Sequence, residues 1–402
     1  MSTGNRFNTN YSRANDRPSP VEPPALADTQ DAAPASLEAS ELPPLPPLPP
    51  RRTLPLPPSD GLNAGTTGVA IEQALVATDQ RSGLPLELPS LPGQFDRWWS
   101  VLRPATLWLS VMPVVLGAII AWLESLGSSA VFHPIRLLAL ILIVLALHAA
   151  ANLLNESYDV LRGTDGQHAL GSSKVIQQGL LSAEGVRRAG FLLLGVGALG
   201  LVILTLTART WGVLALGGAS LLLAYWYSGT RYALAYLPLG ELIVGFVMGP
   251  AALISSVQLQ GSPVSPLAIT FALALGALAA AVILANNLRD LETDRAAKKR
   301  TLVTFLGAQM GRALYLALVL LPYLLIALAA FPHGKPHGLL LVLLTIPDLF
   351  VVVTGILRAE TPAASHLVVE QTLRLHLRFS SWLLVGYLLS VGVVYLLSLM
   401  LH

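Results

Sequence analysis

Residues 285–302 read A-N-N-L-R-D-L-E-T-D-R-A-A-K-K-R-T-L, and the eleven residues before them, A-L-G-A-L-A-A-A-V-I-L, carry no charge. A long apolar helix therefore ends in two asparagines, three acids and five bases. Asn286, Asp290, Asp294 and Lys298 recur every fourth residue, which on a helix places them along one gently drifting stripe. Like charges at i and i+4 repel, so Asp290 and Asp294 call for a compensating cation.

The surrounding composition says what kind of helix this is. Of 402 residues, 53% are hydrophobic and 12% charged, against roughly 25% charged in ordinary soluble domains. A hydrocarbon core about 30 Å thick takes roughly 20 apolar helical residues. Nine segments approach that length, near 104–123, 135–158, 189–207, 211–228, 238–257, 266–289, 311–331, 338–357 and 380–401. None alternates polar and apolar residues as a membrane β-strand would. The expected fold is an all-α polytopic membrane protein with about nine transmembrane helices. With the N-terminus placed inside, fifteen Lys and Arg fall in cytoplasmic loops and three (Arg136, Arg209, Lys335) on the opposite side, in keeping with the positive-inside bias. There is no cysteine, which excludes disulfides, thiolate metal sites and cysteine nucleophiles.

The first part of the chain differs. Residues 42–58, L-P-P-L-P-P-L-P-P-R-R-T-L-P-L-P-P, favour extended polyproline II. Residues 1–95 read as a disordered, Pro-rich cytoplasmic tail and residues 96–402 as the transmembrane domain. No early hydrophobic stretch with a cleavage site is present, so a secretory signal peptide is not expected. No nucleic-acid partner is expected; the bilayer is the expected surroundings.

A second acidic stretch stands four spans before the first: Asn152 to Asp165, N-L-L-N-E-S-Y-D-V-L-R-G-T-D. Together the two hold six of the twelve acids between Arg103 and His402. Asn155 and Asp159 are i,i+4, with Asn152 about a turn earlier, and Gly163 is the expected helix end. Carboxylate and amide oxygens, with no sulfur and little histidine, suit Mg²⁺, which is commonly held by a few carboxylates plus substrate phosphates. Nearby Arg162, Lys174, Arg289, Arg295, Lys298 and Lys299 can meet phosphate charge. A transporter would place polar groups at midplane, whereas these acids cluster at helix ends.

These residues resemble the paired aspartate-rich motifs of the UbiA-type intramembrane prenyltransferases. The match lies in Asn155-x3-Asp159-x5-Asp165 together with Asn286-Asn287-x-Arg289-Asp290-x3-Asp294-x3-Lys298. Arg103-Pro104-x-Thr106, the run Gly171 to Ser182, Tyr227-Ser-Gly229 before Gly240-Glu241, Thr301-Leu302 before Gly307, and Gln371-Thr-x-Arg374-Leu-His376 are similar to the family as well. Within it, the chain looks most like the 1,4-dihydroxy-2-naphthoate polyprenyltransferases of menaquinone biosynthesis. Glu156 departs from the pattern, where aspartate is frequent.

The resemblance implies a helical bundle around a central cavity, capped by the two motifs. It implies Mg²⁺-dependent transfer of a polyprenyl group from its diphosphate to an aromatic acceptor, with CO₂ lost from the ring in the naphthoate branch. Other acceptors (4-hydroxybenzoate, homogentisate or a chlorin) remain open. Asp159, Asp290, Asn155 and Asp294 are the expected catalytic residues, with Asp165 joining them as a metal ligand. Lys174, Arg289, Lys298, Arg162, Arg103, Asn152, Asn286 and Tyr227 are the expected substrate contacts. His148 and Glu241 are weaker candidates for the cavity wall, and Arg374 and His376 read as interfacial cations.

Overall fold

The computed structural model describes residues 92–126, 131–162, 173–228, 234, 237–331 and 337–400, with side chains up to residue 392. The proline-rich run, Gly163, Asp165, Arg231 and Lys335 lie outside the described residues.

Every regular element among the described residues is a helix. In chain order they are α1 (Gln94–Leu102), α2 (Pro104–Glu124), α3 (Pro134–Leu161), α4 (Ala183–Ala208), α5 (Trp211–Ser228) and α6 (Gly240–Leu259). There follow α7 (Pro266–Arg289), the short α8 (Leu291–Ala296), α9 (Leu302–Ala330), α10 (His337–Arg358) and α11 (Pro362–Met400). Seven of these are long and apolar enough to cross a membrane: α2, α3, α4, α6, α7, α9 and α10. Of the two remaining predicted segments, 211–228 is a shorter apolar helix and 380–401 falls in the second half of α11. Helix α11 starts at Pro362, so the Gln371 to His376 motif lies inside it.

Helix α7 is the centre of the packing. Its run of alanines and its glycine present little side-chain bulk, and Ala274 to Val282 are buried throughout. It contacts α6, α9 and α11. Small residues let helix backbones approach closely where no hydrophobic gain separates protein from lipid. At Gly276 an added Cβ would stand 2.4 Å from Gly245 O, and at Gly249 one would stand 2.4 Å from Ala272 O. Opposite this contact α6 passes through a π-helical turn, Val247–Ala251, containing Pro250. The missing amide of proline and the extra residue per turn re-aim the cavity-facing wall of α6.

A second close contact joins α3 to α4. Gly190 meets Leu153 and Leu154, Gly197 meets Leu147, and Gly200 meets Ile143. On α9, Gly307 has φ +83° and breaks the helix direction. Ahead of α2, helix α1 exposes Phe95 and Trp99, stacked with ring centroids 5.6 Å apart, the kind of aromatic pair that anchors at a membrane interface.

One expectation is corrected here. His376 is fully buried inside α11, while Arg374 is exposed. Neither His376 ring nitrogen has a hydrogen-bond partner among the described residues, so it is a core residue and not an interfacial cation.

Gly249→Ala and Gly276→Ala are each expected to lower the unfolding temperature in detergent, at a cost of about 1–3 kcal/mol for forced overpacking. Gly218→Ala, whose Cβ would meet nothing within 4 Å, is expected to melt with the unsubstituted protein.

Candidate active site

A cavity opens where α3 and α7 end. Its mouth is polar: Arg103, Asn152, Asn155, Asp159, Tyr227, Asn286, Asn287, Arg289, Asp290, Thr293, Asp294 and Lys299. Its depth is apolar, with Leu140, Ile143, Leu147, Leu201, Val213 and Met248 among the walls. The π-helical turn of α6 contributes Val247, Met248 and Ala251. The two acidic stretches, more than a hundred residues apart in the chain, thus meet at one opening.

On α3, Asn155 Nδ2 donates to Asp159 Oδ2 at 2.9 Å. The i,i+4 spacing read from the sequence puts amide and carboxylate in contact. Asn152 does otherwise: its Nδ2 donates to Leu102 O at 2.9 Å and Thr106 Oγ1 at 3.2 Å. It buttresses the turn between α1 and α2 while still lining the cavity.

Glu156, the departure from the family pattern, is fully buried. Oε2 accepts from Arg103 Nη2 at 2.5 Å, and Oε1 accepts from the Ser173 amide at 2.8 Å and its hydroxyl at 2.6 Å. A buried carboxylate is tolerated only when paired and hydrogen-bonded, and Glu156 meets that demand. It ties the α1–α2 junction and the segment before α4 to α3. Arg103, held there with φ 53°, is both a brace and a cavity-lining group.

At the end of α7 the helix stops at Asp290 and restarts as α8. The backbone bonds Asp290 N to Asn286 O (3.0 Å) and Asp294 N to Asp290 O (2.8 Å) nevertheless hold the stripe in register. Asn286 faces the cavity. Its neighbour Asn287 donates Nδ2 to the buried Glu241 Oε1 at 2.7 Å, anchoring α7 to the start of α6. Arg289 forks onto Asp290, Nε to Oδ1 at 2.7 Å and Nη2 to Oδ2 at 2.6 Å.

The stripe ends before its fourth member. Lys298 adopts φ 56° and points outward as an exposed residue, because α8 has terminated. Lys299 turns inward instead, with Nζ 3.6 Å from Asp294 Oδ1. Lys174 is half-buried beside Ser173 and Arg162 lies over the Tyr158 ring at 5.0 Å; neither lines the cavity. Tyr227 does line it, within electrostatic range of Lys299, Glu241, Asp159 and Arg103.

Deeper in, His148 Nδ1 lies 3.1 Å from Ser110 Oγ. That hydroxyl already donates to Leu107 O at 2.9 Å, so His148 is the donor and carries its proton on Nδ1. Ser220 likewise donates to Leu216 O. These hydroxyl protons are held by the backbone.

Asp294 is the least satisfied carboxylate. Its Oδ2 is buried and has no hydrogen-bond partner among the described residues. Burial pushes its carboxyl up to about 6, Asp290 and Asp159 add to the rise, and Lys299 opposes it. Among the described residues, no three His, Asp or Glu side chains stand close enough to grip one ion.

Comparison with known proteins accords with this geometry. The UbiA prenyltransferase family profile matches residues 110–382, and the chain belongs to that family: it is a multi-pass membrane prenyltransferase. It is 30% identical over 302 residues to the 1,4-dihydroxy-2-naphthoate octaprenyltransferase of Escherichia coli (strain K12), covering 73% of this chain and 95% of that one. It is 27% identical over 300 residues to the enzyme of the same name from Bacillus subtilis (strain 168), covering 74% and 91%. A UbiA homolog from Archaeoglobus fulgidus, solved bound to GPP and Mg²⁺, shares the fold, with a TM-score of 0.54 and 16% identity over 72% of this chain and 99% of that one.

Asp294 binds its proton more tightly in the folded protein than at its ordinary value of 3.8. Its contribution to folding is therefore full below about pH 4 and lost as pH rises through about 6. Asp294→Asn removes that loss. In chelator, the variant is expected to melt above the unsubstituted protein at about pH 8, with the gap closing towards about pH 4.

Proposed function

We propose that this chain transfers a polyprenyl group from polyprenyl diphosphate to 1,4-dihydroxy-2-naphthoate with Mg²⁺, releasing diphosphate and CO₂ and yielding demethylmenaquinone. The observation that carries the reading is a cavity with a charged mouth and apolar depth. It matches a substrate with a diphosphate head and a hydrocarbon tail. The naphthoate acceptor rests on the named activity of the relatives from Escherichia coli and Bacillus subtilis.

The donor set fits Mg²⁺. Asp294 Oδ2 is a buried oxygen without a hydrogen-bond partner among the described residues, and Asn155, Asp159, Asn286 and Asp290 add further hard oxygens at the same mouth. The described acids do not converge as a cage, which suits an ion completed by diphosphate oxygens and water. Asp159, Asp290 and Asp294 would hold it, with Asn155 and Asn286 in support and Asp165 joining from outside the described residues. When bound, Mg²⁺ supplies Lewis-acid neutralisation of the leaving diphosphate.

The chain's own groups do the rest. Lys299 and Arg289 place fixed positive charge where the diphosphate develops negative charge as the allylic C–O bond breaks. The apolar walls receive the prenyl chain and keep water from the allylic cation. The hydroxyls of Ser110 and Ser220, their protons held by backbone carbonyls, are poor competitors for it. A ring carbon of the acceptor then forms the new C–C bond. The carboxyl leaves as CO₂ and its bonding pair returns to the ring. Arg103 and Tyr227, which line the cavity, are the groups this reading offers to an acceptor carboxylate.

The bundle has nine spans in this reading, with the N-terminus and the cavity mouth on the cytoplasmic side, as the loop charges favour. The tail ahead of α1 is not used by catalysis in this reading. Because the chain has no cysteine, a single Lys298→Cys is expected to react with an impermeant thiol reagent only when the cytoplasmic face is accessible. Labelling from outside intact cells would overturn this orientation.

The function is tested by supplying membranes with Mg²⁺, a long polyprenyl diphosphate and a panel of aromatic acids, and identifying the lipid product by mass. Prenylated, decarboxylated naphthoate is expected from the full chain and from one lacking residues 1–88. Asp159→Ala and Asp290→Ala are expected to reduce turnover by at least about a hundredfold. Product from another acid alone would reassign the acceptor; no product from any would remove the reading.

A further inference from the structure

Arg289 is held from two sides. Besides its fork on Asp290, its Nη1 stands 3.1 Å from Nδ1 of His366 on α11, 77 residues away in the chain. A guanidinium only donates. His366 Nδ1 must therefore be the acceptor, so the ring is neutral and its proton is on Nε2. That nitrogen faces Glu370 Oε1 at 3.7 Å, one turn along the same helix, which favours the same tautomer.

The arrangement matters because Arg289 occupies both oxygens of Asp290, the carboxylate that the proposed reaction also needs for a cation. An ion arriving at Asp290 draws electron density from the same two oxygens and weakens the fork. The Arg289 side chain is only 5% exposed, and a buried guanidinium that loses its counter-charge is costly unless something else holds it. His366 is that something. As a neutral acceptor it secures Nη1 without adding negative charge beside an incoming diphosphate. A carboxylate in its place would compete for the guanidinium.

We infer that His366 is a positioning residue: it keeps the Arg289 guanidinium at the cavity mouth while Asp290 exchanges its arginine for a cation, so that the freed Nε and Nη2 meet the diphosphate. The inference rests on the prenyl-transfer reading above for its ligand and on the Arg289 geometry for its mechanism. His366 does not line the cavity and touches no reacting atom. It acts only through Arg289.

The test uses the full chain in detergent and compares His366→Ala with His366→Asn, whose side-chain oxygen can take the place of Nδ1. The side chain of His366 is 37% exposed, so both variants are expected to fold. Two readouts are taken. The first is the concentration of inorganic diphosphate, with Mg²⁺ present, that half-maximally raises the unfolding temperature. The second is KM for each substrate. His366→Ala is expected to weaken the diphosphate response and to raise KM for the prenyl diphosphate, each by about tenfold, the scale of one charge-assisted hydrogen bond. KM for the aromatic acceptor is expected to stay unchanged. His366→Asn is expected to recover most of both losses. The inference is overturned if His366→Ala leaves the diphosphate response unchanged, if both substrates' KM values rise together, or if His366→Asn behaves like His366→Ala. Absence of turnover in the unsubstituted protein would count against prenyl transfer, while the diphosphate response would still read the role of His366.

Discussion

Everything at this site follows from placing carboxylates at the C-terminal ends of two apolar helices. Aligned peptide dipoles make that end of a helix negative, and burial beside lipid-facing walls removes the water that would screen added charge. Asp159 and Glu156 on α3, and Asp290 with Asp294 beyond α7, are each in the wrong place unless matched. The fold matches them one at a time. Arg103 and Ser173 take Glu156, Asn155 takes Asp159 and Arg289 takes Asp290. Among the described residues, Asp294 keeps Lys299 at 3.6 Å, and its buried Oδ2 has no hydrogen-bond partner. The negative charge is balanced well enough to fold, and in the proposed function the remainder is what a cation with its diphosphate would meet.

The bundle around the mouth serves that balance. The alanines and Gly276 of α7 let α6 come close enough for Glu241 to accept from Asn287, which fixes the end of α7 from a neighbouring helix. The π-helical turn at Val247–Ala251 spends regular backbone geometry to shape the wall just below. Glycines at 190, 197 and 200 do the same between α3 and α4, seating α3 so that Asn155 and Asp159 stand opposite Asn286 and Asp294. Precision at the mouth is thus set partly by small residues along these helices, from Gly190 against Leu154 to Gly276, ten residues before Asn286.

Particular residues mark how far sequence reasoning reached. The helices, the two Asn/Asp stripes and their oxygen chemistry were legible, because apolar length and four-residue spacing are local properties. Asn155 with Asp159 is the clearest case. Lys298 is the contrary case: continuing the period past Asp294 points to it, but α8 ends, the backbone turns left-handed, and Lys299 faces in. Glu156 looked like a substitution within a metal motif and is a buried brace. His376 looked interfacial and is in the core. Only the pairing of acids with bases in the same stretch could have hinted at the Arg289–Asp290 fork, and no sequence signal joined either to His366.

The sequence by itself determined that the chain is a helical membrane protein carrying two matched polar helix ends, since hydrophobic length and helical period are written residue by residue. Tertiary structure decided which of those polar groups face one another, which are spent on bracing and which stay available. Those outcomes depend on contacts between residues 46 to 77 positions apart, such as Asn287 with Glu241, Arg103 with Glu156 and Arg289 with His366. Such contacts are set by how closely helix backbones approach and where each helix stops, and neither is encoded in the spacing of any single segment.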